Sequence, residues 1–258
     1  MTDDRPDQSD GAPFDGALRS GTRPSGTRPS DIQPEAVRLD IFIDPVCPWC
    51  HVGKANLARA LAARPDHPFR LIWHPFQLNP EMKPGGVDKR AWLEEKFGGK
   101  PRVDAMHERL RETARNAGVE LDPDRPARLP NTLDAHRLIH WAGIEGRQTQ
   151  VVDALFHAYW DQGRDIGDAQ VLADIGAENG MTREALLRLL ASQADADDLA
   201  ARDRDARHKG VTAVPTFLIA QKYVVPGAQP PEFWDQVITE ILAETSRAPA
   251  QQNPESQS

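Results

Sequence analysis

This chain of 258 residues lacks long apolar runs, an excess of positive charge and any cysteine beyond a single pair. No run approaches the roughly 20 apolar residues that a membrane-spanning helix needs, so we predict that the protein has no membrane partner. Lys and Arg number 31 against 39 Asp and Glu, and the net charge of −8 argues against nucleic acid as a partner. The hydrophobic fraction of 39% predicts a globular protein with a substantial core.

Both ends of the chain are poor in residues that could form a core. Residues 1–36 are rich in Pro, Gly, Ser, Asp and Arg, and we predict disordered tails over residues 1–36 and 246–258. The N-terminal segment also lacks the basic and apolar parts of a secretory signal, so we predict a cytoplasmic location. A structural disulfide is not expected in that reducing compartment.

The two cysteines lie three residues apart in "FIDPVCPWCHVGK", residues 42–54. The pair Cys47 and Cys50 fits a thioredoxin-like redox motif, but with His51 it also spells C-x-x-C-H, the attachment pattern of a c-type haem. The missing export signal argues against haem. No second cysteine pair or H-x3-H group completes a zinc site. We therefore expect no metal and no resident cofactor.

Hydrophobic periodicity predicts an α/β chain in which a block of helices separates two groups of strands. Residues 37–44 and 69–76 are predicted strands, with a helix between them that Pro48 opens in its first turn. From Val87 to about Gly210 the pattern is that of amphipathic helices without a convincing strand. "PTFLIA" and "YVVPG" then predict a hairpin, and a last helix follows.

The predicted place of the cysteines suits two-step disulfide exchange. A helix N-terminus stabilises a thiolate through its free N–H groups and its dipole, which makes Cys47 the candidate nucleophile. One turn later, Cys50 can attack the mixed disulfide that Cys47 forms with a substrate. "GVTAVPTFLIA", residues 210–220, is compatible with a cis bond before Pro215 that would leave the Val214 backbone free to pair with an extended substrate.

Five motifs, in order within residues 38–243, together resemble the DsbA family of the thioredoxin superfamily, and within it the cytoplasmic FrnE-like oxidoreductases. The motifs are "DPVCPWCHVG", "WHPFQLNP", "NTLDAHRL", "GVTAVPTF" and "GAQPPEFW". The resemblance implies an α/β thioredoxin fold, β-α-β then β-β-α, with a large inserted α-helical domain. It also implies protein disulfide oxidoreductase activity, with protein thiols and disulfides as partners.

The same resemblance divides the segment that lies between the two predicted tails into three parts. They are a first thioredoxin-like part over 37–86, the inserted helical domain over 87–195, and a second thioredoxin-like part over 196–245.

By position, the resemblance implies that Cys47 is the nucleophile, Cys50 the resolving thiol and Val214-Pro215 the cis-proline dipeptide. His51 stands where a tyrosine is expected, and by itself a histidine in a first helical turn is interpreted as a partly exposed packing residue. The predicted substrate-contacting residues are Pro48, Trp49, His51, Val214 and Pro215.

A second function stays open at this point. Kappa-class glutathione transferases and 2-hydroxychromene-2-carboxylate isomerases share the implied architecture but use serine at the nucleophile position. A serine cannot form a disulfide, so the cysteine pair favours exchange, with glutathione as a further candidate co-substrate. The sequence also leaves open whether the chain forms a homodimer.

Several polar residues are candidates for a supporting role. Asp40, Asp44 and His74 could each assist proton transfer to or from Cys50, and the sequence does not select among them. Asn131 is interpreted as a helix N-cap, and His136 as a buried hydrogen-bonding residue.

Overall fold

The computed structural model of the protein describes residues 36–247. The predicted N-terminal tail, apart from residue 36, and residues 248–258 of the predicted C-terminal tail lie outside the described part. The last helix extends to Arg247, so it includes the first two residues of the predicted C-terminal tail.

A four-stranded mixed sheet forms the centre of the molecule. Its strands are β1 (Val37–Ile43), β2 (Phe69–Pro75), β5 (Thr216–Ile219) and β6 (Tyr223–Pro226), in the order β2-β1-β5-β6. β1 pairs parallel with β2 and antiparallel with β5, which pairs antiparallel with β6. The parallel pair requires a crossover, and α1 (Pro48–Ala63) supplies it. The predicted strands and hairpin are therefore confirmed.

Seven helices and one π-helix lie in sequence between β2 and β5. They are α2 (Lys89–Phe97), α3 (Lys100–Asn116), α4 (Leu133–Ile144), α5 (Gln148–Phe156), the π-helix His157–Asp161, α6 (Ala169–Glu178), α7 (Arg183–Leu190) and α8 (Ala196–His208). A final helix, α9 (Pro231–Arg247), follows β6. Within residues 36–247, no helix combines the length and apolarity that crossing a bilayer takes.

The expectation that this helical stretch contains no strand is wrong. Two short strands, β3 (Val87–Asp88) and β4 (Arg128–Leu129), pair antiparallel as a separate two-stranded sheet. Each strand is only two residues long, so neither carries the period-2 alternation by which a strand is recognised in a sequence. Their pairing joins the start of α2 to the segment before α4, some 40 residues later.

The core forms where the central sheet meets α1 and α9. Leu39, Ile41 and Ile43 alternate along β1 and are essentially fully buried. Trp234 of α9 is also fully buried, and its ring meets Phe217 of β5 edge-on at a centroid distance of 4.7 Å. The α9 helix is thereby fixed against the sheet by one large aromatic side chain.

Two tryptophans connect the helical stretch to the sheet and its loops. The Trp73 indole on β2 donates to the Thr149 hydroxyl of α5 at 2.9 Å. The Trp160 indole in the π-helix donates to the Pro45 carbonyl at 3.1 Å, in the loop that leads from β1 to α1. The helices are thus tied to the segment that carries the cysteines.

Replacement of Trp234 tests the packing between α9 and the sheet. Trp234→Ala removes a fully buried aromatic side chain, and we expect it to lower the free energy of unfolding by about 3–5 kcal/mol. Trp49→Ala is the matched control, because 37% of Trp49 is exposed, and we expect a change of about 0.5 kcal/mol or less. Denaturant unfolding curves measure both, and similar effects of the two substitutions would contradict this description of the core.

Candidate active site

Cys47 is the N-cap residue of α1, and the local sequence explains why the helix starts there. Pro48 occupies the first helical position, where its missing N–H removes no intrahelical hydrogen bond. The Cys47 sulfur accepts a hydrogen bond from the backbone N–H of Cys50 at 3.4 Å, as an N-cap side chain does. The Cys47 sulfur thus lies at the N-terminus of α1, at the positive end of the helix dipole.

A second segment meets Cys47 from 167 residues further along the chain. The Cys47 thiol lies 3.5 Å from the Val214 carbonyl oxygen, to which it donates, and the Val214–Pro215 peptide bond is cis. Gly53 of α1 allows this approach, because a Cβ atom there would lie 3.0 Å from Cγ of Pro215 and 3.2 Å from Cα of Ala228. The absence of a side chain at Gly53 thus lets the loop rest directly on α1.

The two thiols differ in environment. Cys47 lines a cavity and retains 2% exposure, whereas Cys50 is fully buried beneath it. Burial, and next the adjoining Cys47 thiol, raise the pKa of Cys50 well above its usual range. Both cysteines are free thiols. The outer sulfur is therefore placed to meet a substrate, and the inner one stays protonated until a base removes its proton.

Asp44 is the carboxyl group that the fold buries beside the cysteines. It is 1% exposed and accepts hydrogen bonds from the N–H groups of Leu78 at 2.7 Å and Val46 at 3.4 Å. Burial outweighs the effect of these hydrogen bonds and raises the pKa of Asp44 to about 7. Asp44 is also close enough to Cys50 for its charge to contribute to the raised pKa of that thiol.

The other two proton-transfer candidates pair with each other. His74 Nε2 lies 2.5 Å from an Asp40 carboxylate oxygen, and the Arg38 guanidinium donates to both oxygens of the same carboxylate. Burial lowers the pKa of His74 in spite of this contact. Asp40 is thus held by two basic side chains on the sheet, which leaves Asp44 as the carboxyl beside the thiol pair.

His51 does not lie where the sequence predicts. It is buried rather than partly exposed, and its ring stacks on Phe156 of α5 with centroids 5.3 Å apart. Its Nε2 atom lies 3.9 Å from an Asp161 carboxylate oxygen, and burial lowers the pKa of His51 to about 4. The side of α1 that carries His51 faces the helical stretch, so this side chain packs against that stretch and does not line the cavity at Cys47.

The cavity beside Cys47 has a volume of about 330 Å³, within the range of small-molecule sites. From the predicted site it is lined by Cys47, Pro48, Trp49 and Val214. The opposite wall comes mainly from α2 and α3, with Lys89, Trp92, Leu93, Lys96, Phe97, Met106 and Leu110. Sequence reasoning missed this wall, because apolar positions on an amphipathic helix indicate a buried face but not whether a core or a cavity covers it.

The polar residues at the start of α4 support the structure. Thr132 is the N-cap, so the prediction of Asn131 as the N-cap is wrong by one residue. The Asn131 side chain accepts from the Leu133 N–H at 2.9 Å and donates to the Met82 carbonyl at 2.7 Å. His136 is buried as predicted, and burial lowers its pKa to about 4.

Residues 36–247 contain no group of three or more His, Cys, Asp or Glu side chains that could hold a metal ion.

A family model matches most of the chain. The model describes a DSBA-like thioredoxin domain and covers residues 38–239. Among solved structures, the probable DsbA oxidoreductase SCO1869 from Streptomyces coelicolor is 28% identical. It superposes with a TM-score of 0.72, covering 86% of this chain and 94% of that chain.

Two further structures share the fold at lower identity. A 2-hydroxychromene-2-carboxylate isomerase is 16% identical, with a TM-score of 0.63 over 81% of this chain and 98% of that chain. The cytosolic disulfide reductase DsbM from Pseudomonas aeruginosa, solved with GSH, is 20% identical, with a TM-score of 0.58 over 80% of this chain and 99% of that chain. At these identities the likeness extends to the fold alone.

The difference between the two thiols predicts selective alkylation. Iodoacetamide at neutral pH should modify Cys47 and leave Cys50 intact, because Cys47 faces the cavity while burial raises the pKa of Cys50. Peptide mapping by mass spectrometry, after brief labelling of the reduced folded protein, measures both sites. Equal labelling of the two thiols, or faster labelling of Cys50, would contradict the assignment of Cys47 as the reactive thiol.

Proposed function

Because the chain belongs to the DSBA-like thioredoxin domain family, we propose that it is a thiol-disulfide oxidoreductase that acts through Cys47 and Cys50 on protein or low-molecular-weight thiols and disulfides. The family membership agrees with the predicted thioredoxin fold, which the mixed sheet and the intervening helices confirm. The observation that carries the proposal is one thiol at a helix N-terminus facing a cavity, with a second thiol sealed one turn behind it.

In the first step, the Cys47 thiolate attacks a disulfide in the cavity. A bond forms between the Cys47 sulfur and one substrate sulfur, and the other substrate sulfur leaves as a thiolate. Trp49 and the Val214 backbone lie at the cavity and are placed to contact the bound substrate. Pro215 acts less directly on the substrate. Its buried side chain packs against α1 and so holds the neighbouring Val214 in place.

In the second step, Cys50 attacks the Cys47 sulfur and releases the second substrate thiolate. The product is a Cys47–Cys50 disulfide, and two electrons have passed from the protein to the substrate. Cys50 must lose its proton before it attacks, although burial raises its pKa. We assign this proton to the Asp44 carboxylate, the acidic side chain buried beside the pair, with a pKa of about 7.

A second candidate function is glutathione-dependent transferase or isomerase chemistry in the same cavity. It is supported by the likeness of fold to 2-hydroxychromene-2-carboxylate isomerase and to DsbM, whose structure was solved with GSH. The two cysteines favour exchange, and glutathione fits that chemistry as a co-substrate. The cytosolic location of DsbM is consistent with a cytoplasmic, FrnE-like enzyme.

Trapping of substrates tests the exchange function. In Cys50→Ser the second step is blocked, so substrates should remain attached to Cys47 as mixed disulfides when the variant is expressed in its native cells. Non-reducing electrophoresis and mass spectrometry identify the adducts, and Cys47→Ser, which should trap nothing, is the matched control. Glutathione as the sole adduct would restrict the exchange to low-molecular-weight thiols, and no adduct in either variant would contradict the proposal.

The role of Asp44 predicts a specific kinetic defect. 2,2′-Dithiodipyridine releases one thiopyridone when Cys47 attacks it. It releases the second thiopyridone when Cys50 attacks the mixed disulfide at Cys47. Asp44→Asn should slow the second release about 10²-fold and leave the first less affected. In the wild type, the second release should quicken as pH rises through about 7, because Asp44 then becomes a carboxylate, and Asp44→Asn should lack this rise.

Asp40→Asn is the control for this experiment. Like Asp44→Asn, it removes a buried carboxylate. This carboxylate lies on β1 and is held by Arg38 and His74 on the sheet. It should therefore keep the pH dependence of the second release. Loss of that dependence in Asp40→Asn alone would transfer the role of base from Asp44 to Asp40.

A further inference from the structure

Lys89 is a buried cation in the wall of the cavity beside Cys47. It is the first residue of α2 and only 6% exposed. Its ammonium group lies 2.6 Å from the Pro123 carbonyl oxygen and 4.7 Å from the centre of the Trp160 ring, and both of these residues also line the cavity. Burying a charged ammonium is unfavourable unless opposite charge or hydrogen bonds compensate for the lost water.

That compensation is incomplete within the described residues. The Pro123 carbonyl is the only hydrogen-bond acceptor found for the Lys89 ammonium among residues 36–247, and no carboxylate there forms an ion pair with it. An ammonium has three donors, so two are left for another acceptor. The neighbouring Asp124 is already engaged by Arg111, His107 and Arg90.

The charges around the cavity all have one sign. Within residues 36–247, its lining includes Lys89 and Lys96 but no Asp or Glu, although the chain as a whole has a net charge of −8. Lys96 lies at the exposed rim, where its ammonium sits 4.2 Å from the centre of the Trp92 ring. The rest of the lining is mostly aromatic and aliphatic. The cavity thus combines an apolar surface, a cationic wall and the sulfur of Cys47.

Resting on the proposed exchange at Cys47, we propose that Lys89 binds a carboxylate of the substrate. The substrate class is a low-molecular-weight thiol or disulfide that carries a carboxylate on an apolar body. The apolar body packs against residues such as Trp92 and Phe97, the carboxylate accepts from the free donors of Lys89, and the sulfur meets Cys47. The cavity volume of about 330 Å³ fits a compact molecule of this kind.

A pair of chromogenic disulfides that differ only in carboxylates tests the proposal. 6,6′-Dithiodinicotinic acid is the carboxylated counterpart of the neutral 2,2′-dithiodipyridine, and each releases an absorbing thione when Cys47 attacks. We compare the ratio of the second-order rate constants, carboxylated over neutral, because this ratio cancels changes in Cys47 reactivity. Lys89→Met should lower the ratio about tenfold or more, the loss expected for a charge-assisted hydrogen bond.

Lys209→Met is the matched control, because it removes the same charge from an exposed lysine that does not line the cavity, at the end of α8. It should leave the ratio unchanged. An unchanged ratio in Lys89→Met, or an equal fall in Lys209→Met, would overturn the proposal. If neither disulfide reacts in a manner that depends on Cys47, the exchange function itself is wrong, and that outcome is distinct from an unchanged ratio.

A measurement on the wild-type protein covers the case in which Lys89→Met does not fold. The non-exchanging 6-(methylthio)nicotinate should slow the reaction of 2,2′-dithiodipyridine by occupying the cavity. Its uncharged amide, 6-(methylthio)nicotinamide, should bind about tenfold or more weakly. Equal inhibition by the acid and the amide would show that the cavity does not recognise the carboxylate.

Discussion

The hydrogen bond from the Cys50 N–H to the Cys47 sulfur fixes the geometry on which the rest of the site depends. It makes Cys47 the cap of α1, so the sulfur receives the free N–H groups and the positive end of the helix dipole. The same bond sets Cys50 one turn inside, where the sheet and the helices bury it. The chemical difference between the two thiols therefore follows from their positions on one helix together with the elements that bury Cys50.

The helical stretch completes the site in a way that the sheet and α1 could not. Its Trp160 indole donates to the Pro45 carbonyl, just before the cysteines, and its Phe156 ring stacks on His51, just after them. These two contacts hold the start of α1 against the helical stretch. Residues of α2 and α3 then line the cavity together with Cys47.

Burial without full compensation recurs at three places around the thiol pair. Cys50 is held as a thiol, Asp44 has its pKa raised to about 7, and Lys89 has no carboxylate partner among the residues that the structure describes. Perturbed ionisable groups of this kind gather at functional sites, because each is stabilised when a substrate or a proton arrives. The Asp40–His74 pair is the contrasting case, because it is compensated within the sheet and takes no part in the proposed chemistry.

The sequence by itself determined the features that depend on neighbours along the chain. The spacing of Cys47 and Cys50, the proline at the first helical position and the alternation in β1 each involve residues within one turn or one strand, and their patterns can be read directly. Tertiary structure alone decided the features that depend on distant packing. It buried His51 against Phe156, placed Asp44 rather than Asp40 or His74 beside the cysteines, paired β3 with β4 and made Lys89 part of the cavity lining. In each of these cases the environment of a residue is set by segments tens of residues away, and the same side chain in the same local sequence could lie in water or in a core.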